Sequence, residues 1–137
     1  MKKVSPNQTK EIVCPWEKNL PVEEQTIFVI SNLSAEQEAF LDDNLGYQGD
    51  VGYVLTLGKA NLLALHMGLK EVKNLLGDDG ENLTLKRDES KAKNGIPGVG
   101  RPWEMKGINE IAKRARDYVS TQIKEGAKLD EAEAKNS

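Results

Sequence analysis

The sequence predicts an α+β fold with about three helices, a small antiparallel sheet, an extended N-terminal arm and a polar C-terminal tail. A run of β-branched and aromatic residues at 26–30 indicates a buried strand. Two longer segments carry apolar residues at helical spacing, and both ends of the chain are poor in large apolar side chains. Because 137 residues is the usual length of one domain, we predict an arm at 1–20, one domain at 21–126 and a tail at 127–137.

The predicted arm has no regular hydrophobic periodicity and contains Pro6 and Pro15. Trp16 is its one aromatic side chain, so we expect the arm to dock there, on its own domain or on a neighbouring molecule. The strand at 26–30 follows, rich in the residue types that favour a pleated, largely buried backbone.

The first helix is indicated by Ser34 and Gln37, which have the spacing of a capping box. In that arrangement each side chain bonds a backbone N–H that the helix itself leaves unpaired. We expect this helix to turn Phe40, Leu41 and Leu45 inward and to end near Gly46. The segment after it, at residues 53–57, fits either a short strand or the first turn of the next helix.

The second helix is predicted from leucines and a valine spaced by three and four residues, which share one helical face. These residues are Leu62, Leu65, Leu69, Val72 and Leu76. Gly77 would end the helix, and Asp79-Gly80 would make a turn. A second strand is then expected at 83–85, pairing antiparallel with the strand around Phe28.

The third helix follows a glycine–proline loop at 94–102, through which no helix can continue. Its apolar face is predicted to comprise Ile108, Ile111, Ala112, Ala115, Val119 and Ile123. The tail at 127–137 is small and charged, so we expect a frayed end or a turn that is ordered only by a partner.

Composition excludes several classes of protein. One cysteine, Cys14, permits no internal disulfide, and together with the one histidine, His66, it falls short of the four ligands of a structural zinc site. The longest apolar run has four residues, as at 62–65, whereas a membrane-spanning helix needs about 20. The sequence therefore predicts an intracellular protein outside the membrane.

The search for catalytic chemistry is negative. Residues 52–60 have five bulky residues between the glycines and an alanine in place of the hydroxyl of a phosphate-binding loop. The glycines at 95, 98 and 100 do not follow a strand of a dinucleotide-binding unit. His66 has no acidic residue at helical spacing, and Cys14 has no basic neighbour that would activate its thiol. We predict no catalytic residue, metal or cofactor, and hence no enzyme.

Charge is uneven along the chain, whose net charge is −3. Residues 1–50 carry nine acidic and four basic residues. The remainder of the chain carries thirteen acidic and fifteen basic residues. A nucleic-acid-binding regulator stays an alternative because Lys113, Arg114 and Arg116 lie on the predicted last helix and Trp103 could stack on a base. The acidic pI of 5.3 argues against it, since nucleic-acid-binding domains are usually strongly basic.

Several short motifs, in order, resemble a family of small tailed-bacteriophage proteins. They begin with Leu20-Pro21, Gln25-Thr26-Ile27-Phe28 and Leu33-Ser34-Ala35, continue with Gly68-Leu69-Lys70, Asn74 and Asp79-Gly80, and end with the acidic tail from Leu129 to Lys135-Asn136-Ser137. They span residues 20–137. The chain differs from the pattern at Val72, where a tryptophan is usual, and in the glycine–proline loop.

The resemblance implies a morphogenesis protein without enzymatic activity. It would be a virion structural component (head decoration, head–tail connector or neck), or alternatively a tail assembly chaperone absent from the mature particle. Its location would be the virion, and the host cytoplasm during assembly. Partners would be other phage structural proteins or further copies of the chain. We expect the partner contacts to include Trp16, Trp103, Lys113, Arg114 and Arg116, because tryptophan and arginine often anchor interfaces.

Overall fold

The computed structural model describes residues 8–136, with side chains described to residue 126. The strands are β1 (Thr9–Ile12), β2 (Ile27–Ser31), β3 (Gly46–Gly49), β4 (Gly52–Leu55), β5 (Leu69–Lys73), β6 (Leu75–Leu76) and β7 (Asn82–Leu83). The helices are α1 (Ala35–Asp43), α2 (Leu57–Gly68), α3 (Met105–Asn109) and α4 (Lys113–Asn136). Helices combine with small antiparallel sheets, so the predicted α+β class is confirmed.

The central sheet has the order β1–β2–β5 and is antiparallel throughout. Its middle strand is the strand predicted from the β-branched run, and Phe28 and Ile30 on it are buried. Because these residues are two apart they lie on one face of the sheet. That face belongs to one hydrophobic core with Leu65 of α2 and Val119 and Ile123 of α4.

The N-terminal segment is part of the domain and not a separate arm. Thr9 to Ile12 pair with Ser31 to Phe28, and Lys73 of β5 forms an ion pair with Glu11 at 3.1 Å. An extended arm was predicted over residues 1–20, and this is corrected for residues 9–12, which form an edge strand of the central sheet. Residues 1–7 lie outside the described residues.

Helix α1 begins as predicted. The Ser34 hydroxyl accepts from the Gln37 backbone N–H at 3.2 Å, and the Gln37 side chain accepts from the Ser34 N–H at 3.0 Å. Leu41 is buried and Phe40 and Leu45 are partly buried against the core. The helix ends at Asp43, just before Gly46.

The predicted second helix is too long. Helix α2 ends at Gly68, and the residues after it form strand β5. The pairing with β2 is irregular between Val29 and Ile30, so Leu69 and Val72 both face the core although they are three residues apart. A β-bulge therefore produced the spacing that indicated a helix.

The predicted strand at 83–85 also pairs differently. Strand β7 pairs with β6 in a small hairpin, whereas Phe28 pairs with Val72 and Ile12. The predicted turn at Asp79-Gly80 is present, with Gly80 at φ 80°. Gly77 does not adopt the left-handed conformation, which is found instead at Asn74, with φ 60°.

The predicted last helix is divided into α3 and α4, separated by residues 110–112. Ile108, Ile111, Val119 and Ile123 are buried as predicted. Helix α4 packs against α2 and β2. Its backbone continues through most of the predicted polar tail, to Asn136, while the side chains after residue 126 lie outside the described part of the chain.

Candidate functional site

The β3–β4 hairpin and the first residue of α2 together carry six of the ten large apolar side chains that the described residues expose. We call this group the hairpin surface; it comprises Tyr47, Val51, Tyr53, Val54, Leu55 and Leu57. Tyr53 is 59% exposed, Leu55 62% and Val51, at the turn, fully exposed. Exposed leucines are common singly, but a contiguous group of this kind usually marks an interaction site.

Both faces of the hairpin are apolar. Tyr47 is paired with Val54, which places their side chains on one face, and Gln48 is paired with Tyr53, which places those on the other. Strands β3 and β4 pair only with each other among the described strands. Each therefore also has an edge whose backbone groups are open to another strand.

The base of the hairpin is fixed to the domain. The Thr56 backbone N–H donates to the Leu45 carbonyl at 2.8 Å, and the Thr56 hydroxyl donates to the Asn44 carbonyl at 3.1 Å. These bonds join the residues after α1 to the start of α2. The hairpin therefore projects from a defined position between two helices.

A second feature is a basic cleft of about 470 Å³ beside the C-terminal end of α2. We define the basic cleft by His66, Lys70, Arg87, Arg101 and the backbone of Gly98 to Gly100, all of which line it. None of its lining residues is acidic. Three separate segments contribute a cation, so the fold brings together charges that are far apart in the sequence.

Arg87 is held rigidly in this cleft. Its guanidinium carbon lies 3.7 Å from the centre of the Trp103 ring, and its N–H groups donate to the carbonyls of Arg101 at 3.2 Å and of His66 and Leu69 at 3.4 Å. Burial lowers the pKa of Arg87 from its ordinary value. The guanidinium thus occupies one position over the indole face.

His66 joins the cleft to the core. Its Nδ1 accepts a hydrogen bond from the Trp103 backbone N–H at 3.0 Å, which assigns the ring proton to Nε2. Burial lowers the pKa of His66, and the nearby charges of Arg87 and Lys91 lower it further. The ring is therefore neutral at physiological pH, which leaves Nε2–H as a donor.

Trp103, which the sequence predicts as a partner contact, lies almost wholly inside its own domain. It is 6% exposed, and its indole N–H donates to the Leu69 carbonyl at 3.1 Å. The backbone of Trp103 also forms an antiparallel bridge with Arg87. Its ring is thus packed within its own chain, and contact of Trp103 with a partner stays a prediction.

Trp16 is partly buried against the core. Its ring meets Tyr118 edge-to-face with centroids 5.9 Å apart, and the Arg114 guanidinium lies 4.0 Å from its centre. The predicted docking of the N-terminal segment through Trp16 is thus present within the chain. Whether its exposed part also contacts a partner stays a prediction.

Two members of the predicted basic triplet at the start of α4, Lys113 and Arg116, line one cleft, whereas Arg114 lies over Trp16. Lys113 forms an ion pair with Asp117 at 2.7 Å, Arg114 lies over Trp16, and Arg116 has a buried Nε without a partner among the described residues. Their side chains therefore serve different local contacts. Contact of these residues with nucleic acid or protein stays a prediction.

Other candidate chemistry finds no support in the described residues. Burial and the nearby Glu17 carboxylate raise the pKa of Cys14 to about 11, so its thiol is poorly reactive. Nowhere in residues 8–126 do three or more metal-ligating side chains gather into a site that could hold an ion. Over the same described part, no helix has the length and apolar character needed to cross a bilayer.

Comparisons of the chain with protein-family models, with curated proteins and with solved structures found no match. The function must therefore be argued from the hairpin surface and the basic cleft. Sequence reasoning missed both. The ambiguous segment at 46–58 was the one signal for the hairpin, and nothing in the spacing of His66, Lys70 and Arg101 indicated that they would meet.

Proposed function

We propose that this protein is a non-enzymatic structural subunit of a tailed bacteriophage, and that it works by protein–protein contacts made through the hairpin surface. The observation that carries the contact role is the apolar hairpin projecting from the domain. The phage assignment rests on the ordered motifs at residues 20–137. Head decoration and head–tail connection both fit such a subunit, with the virion as its location.

The hairpin surface supports this role on energetic grounds. Tyr47 and Tyr53 are each more than half exposed, and a tyrosine buries about 150–250 Å² when fully covered. At about 25 cal/mol per Å², covering both rings and the adjacent aliphatic groups would contribute several kcal/mol to association. An isolated two-stranded hairpin is only marginally stable in water, so a partner would also order it.

The experiment is quantitative mass spectrometry of purified particles of the phage that encodes the chain, with copy number measured against the major capsid protein. We expect the chain at a fixed copy number. A double variant, Tyr53→Thr with Leu55→Thr, removes apolar area from one face and keeps β-branched residues in the strand. We expect its copy number to fall by about tenfold or more, which corresponds to about 1.4 kcal/mol.

The matched control is Gln48→Thr, which changes a polar residue on the same face of the hairpin and should leave the copy number unchanged. Normal incorporation of the double variant would show that the hairpin surface is not the contact. A chain that is required for assembly but absent from the particles would be an assembly chaperone, and the structural proposal would then be wrong.

A further inference from the structure

The basic cleft contains three cations that form no ion pair with a carboxylate of the described residues. The ion pairs formed by described side chains, Lys73 with Glu11 and Lys113 with Asp117, both lie elsewhere. Lys70, Arg87 and Arg101 have no acidic partner in the described residues. Three cations line one cleft of a protein whose net charge is −3.

The end of helix α2 accounts for only part of this charge. The Lys70 ammonium donates to the Met67 carbonyl at 3.1 Å, and Arg87 donates to the carbonyls of His66 and Leu69. These contacts satisfy the last carbonyls of the helix, whose combined dipole is equivalent to about −0.5 of an elementary charge. Asp88, Glu89 and Glu104 lie with Arg87 and Arg101 around an adjacent cleft, whereas the lining of the basic cleft itself has no carboxylate. The positive charge that faces the basic cleft therefore comes mainly from Arg101 and Lys70.

The cleft also offers uncharged donors. His66 Nε2 has no hydrogen-bond partner among the described residues and is not among the polar atoms that burial cuts off from solvent. The backbone N–H groups of Gly98 and Gly100 likewise have no described acceptor. A ring N–H, two backbone N–H groups and three cations are all donors, which is the chemistry that an oxyanion requires.

The loop that completes the cleft is held in place by its own hydrogen bonds. The Asn94 amide donates to the carbonyls of Lys91 and Val99 at 3.1 Å, and its oxygen accepts from the Ile96 N–H at 2.9 Å. The Gln37 side chain donates to the Pro97 carbonyl at 2.9 Å and so joins the loop to α1. The donors are thus positioned before any ligand arrives, which lowers the entropic cost of binding.

We propose that the basic cleft binds the phosphate group of a small molecule. A phosphate presents several oxygens to the separate donors, and a cleft of about 470 Å³ falls in the range of small-molecule sites, about 300–1,000 Å³. Arg87 supplies fixed charge, while Arg101 and Lys70, which are both exposed, close on the anion. The acidic net charge of the whole chain disfavours the long phosphodiester backbone of a nucleic acid.

The test is isothermal titration calorimetry of the full chain with inorganic phosphate, adenosine monophosphate and a single-stranded oligonucleotide. We expect phosphate and the nucleotide to bind with one site per chain. Arg101→Gln and Lys70→Gln should each weaken binding by about tenfold, since each removes a charge-assisted hydrogen bond. Lys93→Gln is the matched control, because Lys93 is exposed on the same loop but does not line the cleft.

Arg87 is not used as a variant, since it also stabilises the end of α2. The second measurement uses the Trp16→Phe variant, in which Trp103 is the one remaining tryptophan. Its fluorescence reports on the Arg87 guanidinium over the ring. We expect the fluorescence to change on addition of phosphate, with the dissociation constant that calorimetry gives. Absence of saturable binding at about 10 mM phosphate would overturn the proposal. So would equal weakening by Lys93→Gln, or affinity that rises with oligonucleotide length, which would identify a nucleic-acid surface.

Discussion

His66 connects the end of a helix to a segment nearly forty residues away in the sequence. Its Nδ1 accepts from the Trp103 N–H, and only the neutral ring can do this, because the protonated ring has no acceptor nitrogen. Burial, followed by the charges of Arg87 and Lys91, lowers its pKa below the ordinary 6.5. Protonation of this one ring is therefore linked to stability.

The free energy of unfolding should fall as the pH drops below 6.5, the ordinary pKa of histidine. The unfolded chain takes up a proton on His66 near pH 6.5, whereas the folded chain resists it, so acidification stabilises the unfolded state relative to the folded state. We expect the free energy of unfolding to be lower at about pH 5.5 than at about pH 7.5. Urea denaturation at both values measures the difference.

The control for this prediction is His66→Asn, whose side-chain oxygen can accept from the same N–H but does not titrate. The chain has one histidine, so the variant removes all histidine titration. Its stability should depend less on pH over this interval. An unchanged pH dependence would show that the effect comes from other groups.

At the scale of elements, the approach of α2 to α4 depends on Gly68, the last residue of α2. A Cβ atom at this position would overlap Ile123 of α4, whose side chain is 1% exposed. Neither side can move freely, since protein cores are packed at high density. The absence of a side chain therefore sets the distance between the two helices.

We expect Gly68→Ala to lower the free energy of unfolding by about 1–3 kcal/mol, the usual cost of inserting an extra methyl group into a packed core. Gly58→Ala in the same helix is the matched control, because nothing lies within 4 Å of the Cβ it would add. That variant should be neutral or up to about 1 kcal/mol more stable, since alanine favours helix. Equal effects of the two variants in urea denaturation would contradict the packing argument.

At the scale of the whole molecule, stability should be distributed unequally. The central sheet is joined to α2 and α4 through one hydrophobic core, whereas the β3–β4 hairpin has exposed side chains on both faces. Segments with few buried apolar contacts open at a lower free energy than the core. The hairpin is then free to adapt to a partner while the sheet stays intact.

Native-state hydrogen exchange measures this difference. We expect the amides of β2 and β5 to exchange slowest and those of β3 and β4 to exchange several orders of magnitude faster in dilute protein, in line with local opening of the hairpin. Slow exchange of the hairpin that does not change with protein concentration would show that the domain itself stabilises it. Protection that grows with concentration would show contact between copies.

Local chemistry was predictable from the sequence, and long-range pairing was not. The capping box at Ser34 and Gln37, the turn at Gly80 and the buried residues of the last helix depend on neighbours a few positions away. The predicted end of α2 was wrong because Leu69 and Val72, which are three residues apart, fit the spacing of a helix. In the structure a bulge in β5 turns both side chains toward the core. The burial of Trp103 and the basic cleft depend on contacts across more than thirty residues, for which the sequence holds no local signal.

The place of α4 in the chain order has a consequence for synthesis on the ribosome. The central sheet can form once β5 has emerged, but the core on its apolar face stays incomplete until Val119 and Ile123 have been added. That requires roughly fifty more residues, or about 3–10 s at about 5–20 residues per second. During this interval Phe28 and Ile30 lack the part of their core that α4 contributes. Slower translation of this stretch would lengthen the interval and lower the yield of soluble protein.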